Sequence, residues 1–125
     1  MKLLVVGGGG REHTIIRSLK KNPDVETIYA LPGNGGMADD AVCTGISATD
    51  LDAIVAFAKE KAIDLVVPGP ELPLTLGVVD AMQAAGIPCF GPVAACAKLE
   101  GSKAFAKEIM NAAGVPTAAA GGFTD

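Results

Sequence analysis

Lys2-Leu3-Leu4-Val5-Val6-Gly7-Gly8-Gly9-Gly10-Arg11-Glu12-His13 is the stretch whose reading decides the fold. Residues 3–6 are an unbroken aliphatic run, the pattern of a strand buried on both faces rather than one. Four glycines end that run. Residues 11–21 then place Ile15, Ile16 and Leu19 on one helical face. A strand, a glycine turn and a helix in this order open a parallel α/β sheet.

The rest of the chain repeats the alternation. Asn22-Pro23-Asp24 is a break, and residues 25–31 form a second strand ending in Pro32-Gly33-Asn34-Gly35-Gly36. Residues 41–43 suit a short third strand. Thr49 or Asp50 caps a helix whose Leu51, Ile54, Val55 and Ala58 share a face. Residues 65–67 are the next strand, closed by Pro68-Gly69-Pro70. A helix over residues 73–85 presents Leu74, Val78, Val79 and Met82 and stops at Gly86. Residues 87–90 make a further short strand before Gly91-Pro92. Residues 94–99 and 102–113 are helical, with Gly101 between them and Gly114 as the stop. The fold class expected is α/β, a doubly wound, Rossmann-like parallel sheet. Ligands in such sheets bind beyond the carboxyl ends of the strands. Residues 7–13, 32–36, 69–71 and 91–92 all sit there and should converge on one crevice.

Composition narrows the class. A length of 125 residues suits one domain, and half of them are hydrophobic. Four Phe, one Tyr and no Trp leave an aliphatic core. The net charge of -4, without a run of Lys or Arg and without an aromatic platform, argues against a nucleic-acid partner. The first apolar run is too short for a signal peptide, and no segment approaches the roughly 20 apolar residues that span a bilayer. No membrane association and a cytoplasmic setting are expected. Cys43, Cys89 and Cys96 lack CxxC spacing and His13 is the single histidine, so neither a disulfide framework nor a zinc site is expected. The thiols read as small apolar core residues in a reducing compartment.

Gly7 to His13 carries the chemistry. Residues without Cβ atoms let a ligand approach the backbone, and the first amides of a helix favour an anion. A tight turn alone also calls for glycine, but this placement favours anion binding; Arg11 either supplies a charged fork or is solvated. A dinucleotide fits less well than a smaller phosphate-bearing ligand. Gly7 and Gly9 imitate the GxGxxG pattern, yet Glu12 replaces its third glycine, and no acid ends the second strand, Glu26 lying at its beginning. Asn34 either bonds a sugar hydroxyl or occupies a left-handed turn position. Glu71, between Pro70 and Pro73, either holds two ribose hydroxyls or satisfies free helix amides. His13 bonds a phosphate or packs locally; with no second titratable partner nearby in sequence, acid–base work is not assigned to it. No catalytic or metal-binding group is visible: this segment binds.

Six motifs resemble one family in order and spacing. They are Val6-Gly-Gly-Gly-Gly-Arg-Glu-His13, Pro32-Gly-Asn-Gly-Gly36, Gly69-Pro-Glu-Leu-Pro-Leu74, Gly77-Val-Val-Asp80, Phe90-Gly-Pro92 and Leu99-Glu-Gly-Ser-Lys103. The family is glycinamide ribonucleotide synthetase (phosphoribosylamine–glycine ligase), of the ATP-grasp superfamily, and the resemblance covers essentially the whole chain. Gly8 stands where the family often has Asn or Ser, and Met37 where Thr usually follows PGNxG. Met37 removes a hydroxyl from that position.

The resemblance implies an enzyme of purine biosynthesis that joins phosphoribosylamine to glycine with ATP, through glycyl phosphate, aided by magnesium or manganese. Its first domain would hold the phosphoribosyl substrate. Gly7, Gly9, Gly10 and Arg11 would face the phosphate, Glu71 the ribose with Asn34 beside it, and Lys103 would enter the nucleotide cleft. Residues 1–101 would be the substrate domain and 102–125 the start of the ATP-grasp region. The metal ligands and most of the ATP site would follow later, so this chain alone should build neither and have no ligase activity. Two other readings stay open: a related ATP-grasp purine enzyme, or a non-catalytic module sensing NAD(H) or a similar nucleotide.

Overall fold

A computed structural model describes residues 1–123. Its strands are β1 (Lys2–Gly7), β2 (Thr27–Pro32), β3 (Val42–Cys43) and β4 (Leu65–Pro68), and its helices are α1 (Gly10–Leu19), α2 (Leu51–Glu60), α3 (Glu71–Leu76), α4 (Val78–Ala84), α5 (Ala94–Gly101) and α6 (Lys103–Ala112). The four strands form one sheet in the order β3-β2-β1-β4, and every pairing is parallel.

Strand periodicity distributes the aliphatic runs between two cores. Leu4 and Val6 of β1, Leu31 of β2 and Val66 of β4 point to one face, where Ile54 and Ala58 of α2, Leu74 of α3 and Val78, Val79 and Met82 of α4 cover them. Leu3 and Val5, with Ile28 and Ala30 of β2, point to the other, against Ile16 of α1 and Met37. Both faces of β1 are therefore fully buried, which is why its sequence shows no alternation. Tyr29 and Phe57 meet edge to face at 5.2 Å at the margin of the first core.

Four details differ from the sequence reading. The helix expected over 73–85 begins at Glu71 and is broken at Gly77, whose φ of 96° ends α3 and re-aims the chain into α4. The fifth strand is one bridge, Val66 to Cys89: Val66 N–H donates to Pro88 O and Phe90 N–H to Val66 O, both at 2.9 Å. Pro88 has no N–H to extend the ladder, and Gly91 turns the chain away at φ 140°. The stop between the last two helices is Ser102, extended at φ -135°, not Gly101, which lies within α5; the Ser102 hydroxyl accepts from Phe105 N–H at 3.3 Å and starts α6. The cysteines are not all core residues. Cys43 and Cys89 are half-buried and Cys96 is exposed; burial pushes the Cys89 thiol up to about 11. Between Thr49 and Asp50, it is Asp50 that caps α2, accepting from Ala53 N–H at 3.1 Å. No helix among the described residues is long and apolar enough to cross a membrane.

Candidate functional site

β1 is flanked by β2 on one side and β4 on the other, so strand order reverses between β1 and β4 although all four strands run parallel. Loops leaving a sheet at such a point diverge and leave a crevice at the carboxyl ends of the strands. The three loops there are tied together. Gly33 N–H donates to Gly7 O at 3.3 Å and Gly69 N–H to Val6 O at 2.9 Å, bringing residues 7–10, 33–36 and 69–71 to one edge of the sheet.

The glycine loop is organised from within. Gly7 sits at φ 134°, a conformation that side-chain-bearing residues rarely adopt, and Gly9 is the extended cap of α1. Glu12 turns back under this loop: its Oε2 accepts the Gly9 N–H at 2.7 Å. One amide of the loop that was expected to favour an anion is therefore already taken, because the third residue of a helix reaches its own cap. Among the described residues, the amides of Gly8, Gly10 and Arg11 have no hydrogen-bond partner. Glu12 is buried, and its Oε1 has no hydrogen bond.

Arg11 stands at the mouth, two-thirds exposed, with Nε 3.6 Å from Glu12 Oε1 and an Nη 3.7 Å from Glu71 Oε2. Glu71 is the first residue of α3 and is more than half exposed. It is the acidic residue in the first turn of α3, near the N-terminal amides, so both readings of Glu71 stand. Its carboxylate lies beside Arg11.

Asn34 is occupied. Its Oδ1 accepts from Gly36 N–H at 2.8 Å and Met37 N–H at 3.1 Å, capping the 3-10 turn Gly35–Met37, and its Nδ2 donates to Gly8 O at 2.8 Å. The left-handed alternative fails: Asn34 is extended at φ -154°, and Gly33 takes the left-handed position at φ 73°. Asn34 thus braces the second loop on the first, which leaves one amide hydrogen for a sugar.

His13 has a partner that local sequence did not show. Its Nε2 lies 3.0 Å from Asp40 Oδ2, and Asp40 also meets Lys20 Nζ at 3.0 Å and Arg17 Nε at 3.9 Å. The bond from His13, then that from Lys20, holds the Asp40 carboxyl below the usual carboxylate range. Lys103 stands apart, in a cleft of about 440 Å³ lined also by Lys107, Glu108, Asn111 and Gly121. Among the described residues no three of His, Cys, Asp and Glu gather as a metal set.

Sequence reasoning missed Glu12 as a working residue and missed Asp40 altogether. Glu12 had a signal, since an acidic third residue after a cap position is half of a capping box. Asp40 had none: it lies 27 residues from His13.

The doubly wound α/β sheet thus carries a glycine loop, an arginine and an exposed carboxylate at its switch point. A dinucleotide lacks its second anchor, because β2 ends in Leu31-Pro32. The family described as Phosphoribosylglycinamide synthetase, N domain, matches residues 1–100, and the chain belongs to it. Phosphoribosylamine–glycine ligase of Vibrio cholerae is 50% identical over 100% of this chain, and that of Streptomyces coelicolor is 53% identical over 94%. The chain spans 30% and 28% of the length of these two relatives. Among solved structures, phosphoribosylamine–glycine ligase from Thermotoga maritima has a TM-score of 0.70 at 29% identity, over 95% of this chain and 26% of that one. The biotin carboxylase subunit of pyruvate carboxylase has a TM-score of 0.69 at 28% identity, over 92% and 28%. The same fold thus serves proteins of different names.

Proposed function

We propose that this chain is the phosphoribosyl-binding wall of a phosphoribosylamine–glycine ligase, the enzyme that makes glycinamide ribonucleotide, ADP and phosphate from phosphoribosylamine, glycine and ATP in cytoplasmic purine synthesis. The observation that carries it is the meeting of the glycine loop, Arg11 and Glu71 at the switch point, in a chain half identical to proteins of that name.

Gly7, Gly9 and Gly10 shape the loop, and the partnerless amides of Gly8, Gly10 and Arg11 take the phosphate. The field of the α1 N-terminus adds about 0.3–1 kcal/mol for an exposed anion and up to roughly 2 when it is partly buried. The Arg11 guanidinium supplies a charged fork beside them. Glu71 accepts from the ribose hydroxyls, and Asn34 holds the neighbouring loop at the right height. The reacting amine of the substrate then projects out of the crevice, away from the sheet. Residues 1–101 form this wall and residues 102–125 begin the nucleotide-binding region, with Lys103 directed to ATP. ATP with magnesium or manganese serves the complete enzyme by activating the glycine carboxylate. Among the described residues no three of His, Cys, Asp and Glu gather to hold a metal, and no step here is assigned to one. By itself the chain forms no product from ATP and glycine; detection of such product from the purified chain would contradict this.

Calorimetric titration decides the binding role. Ribose 5-phosphate should bind and NAD should not; the reverse would make the chain a nucleotide sensor. Glu71→Gln should weaken ribose 5-phosphate by about 1–3 kcal/mol, the loss expected for a hydrogen bond to a charged group. Unchanged affinity would remove Glu71 from the ribose.

A further inference from the structure

We propose that Glu12 is the positioning residue of this site. Its carboxylate, folded under the first loop, sets the spacing between the ends of β1 and β4, and Gly9 and Gly69 are glycine in order to admit it. The role in ligand binding rests on the phosphoribosyl reading above; the packing relation does not.

Backbone conformation does not explain these two glycines. Gly9 has φ -91°, and Gly69 is not among the positive-φ residues, so both lie in regions open to any residue. Space does explain them. A Cβ on Gly9 would stand 2.7 Å from Glu12 Oε2 and 3.8 Å from Glu12 Cδ, with no other heavy atom within 4 Å beyond its chain neighbours. On Gly69 the three nearest atoms would be Glu12 Oε1, Cγ and Cδ, all far inside contact distance. Gly7 faces the same side chain, with Glu12 Cγ at 2.5 Å from its Cβ position, although its φ of 134° favours glycine in any case. Three glycines from two loops therefore surround one side chain.

That side chain is the single charged group buried among the described residues. Oε2 takes the Gly9 amide at 2.7 Å. Oε1 has no hydrogen bond, with Arg11 Nε 3.6 Å away. A buried carboxylate oxygen without a partner is unfavourable and is kept where the surrounding structure uses it. Here its use is mechanical and electrostatic. Glu12 occupies the innermost amide of the loop and leaves those of Gly8, Gly10 and Arg11 for an outside anion. It also attracts the Arg11 guanidinium, keeping it over the loop rather than out in solvent.

A mutant cycle with two readouts, thermal unfolding and ribose 5-phosphate titration, tests this on the whole chain. Gly69→Ala should lower Tm, and Glu12→Ala should lower it too. The double variant should recover much of the Gly69→Ala loss, because the added Cβ then meets open space. Additive losses would overturn the packing relation. Glu12→Gln, which keeps an acceptor for Gly9 but loses the charge beside Arg11, should weaken ribose 5-phosphate less than Glu12→Ala, which should weaken it at least ~10-fold. Wild-type affinity in a folded Glu12→Ala chain would overturn the positioning role. If Glu12→Ala does not fold, Glu12→Asp replaces it throughout, since a shorter carboxylate also vacates the space beside Gly69. A wild-type chain that fails to bind ribose 5-phosphate would refute the proposed function and the binding role, leaving the Tm cycle to decide the packing relation alone.

Discussion

Asn34→Ala removes three hydrogen bonds from one surface position, and its effect follows from where each partner lies. Two of them cap the Gly35–Met37 turn, and the third crosses to Gly8 O. Loss of an Asn cap costs about 0.5–2 kcal/mol, and the bond to Gly8 is worth about 0.5–1.5. The Gly36 amide is exposed and will take water, but Met37 is fully buried and depends on the turn being held. A loss of about 2 kcal/mol is expected, which for a domain of this size lowers Tm by roughly 6–10 °C. Urea denaturation with a constant m value gives the number directly. Asn34→Asp separates the two tasks: it keeps both cap acceptors but loses the donor to Gly8 O, so it should fall between wild type and Ala. Ribose 5-phosphate affinity should drop in both variants, because Gly8 is no longer tied to the second loop. A stability change under about 0.5 kcal/mol for Asn34→Ala would refute the bracing role.

Other expectations concern charge and thiols. Asp40 has its pKa lowered from 3.8, so its contribution to stability is present above that value and is lost as pH falls through the depressed one. Asp40→Asn should therefore lower Tm at neutral pH, and the gap should close at strongly acidic pH; a gap that persists there would mean that the carboxylate charge is not what acts. Cys96 is exposed whereas the Cys89 thiol is pushed to about 11, so at pH 8 only about a thousandth of Cys89 is thiolate. Iodoacetamide followed by mass spectrometry should label Cys96 well before Cys89, and equal rates would contradict the burial of Cys89.

The sequence by itself determined the layered α/β fold, because aliphatic strands buried on both faces and amphipathic helices each leave a local periodic mark. The alternation of strands and helices, a cap at Thr49 or Asp50 and the gathering of residues 7–10, 33–36 and 69–71 at one sheet edge could all be read from neighbouring residues. Element limits were less legible. Gly77 splits a helix that periodicity joins, since Leu74, Val78 and Val79 pack on the same core on either side of the break. Pro88 reduces a strand to a bridge because only pairing reveals the missing donor.

Tertiary structure decided what the site residues do. Asn34 stood between a sugar contact and a left-handed turn and is bound to the first loop; His13 looked alone and pairs with Asp40; the Gly9 amide looked open and is held by Glu12. Each of these contacts depends on where a side chain lands after the sheet has brought distant loops together. Local sequence records which conformations a segment prefers, but not which neighbour reaches an atom first.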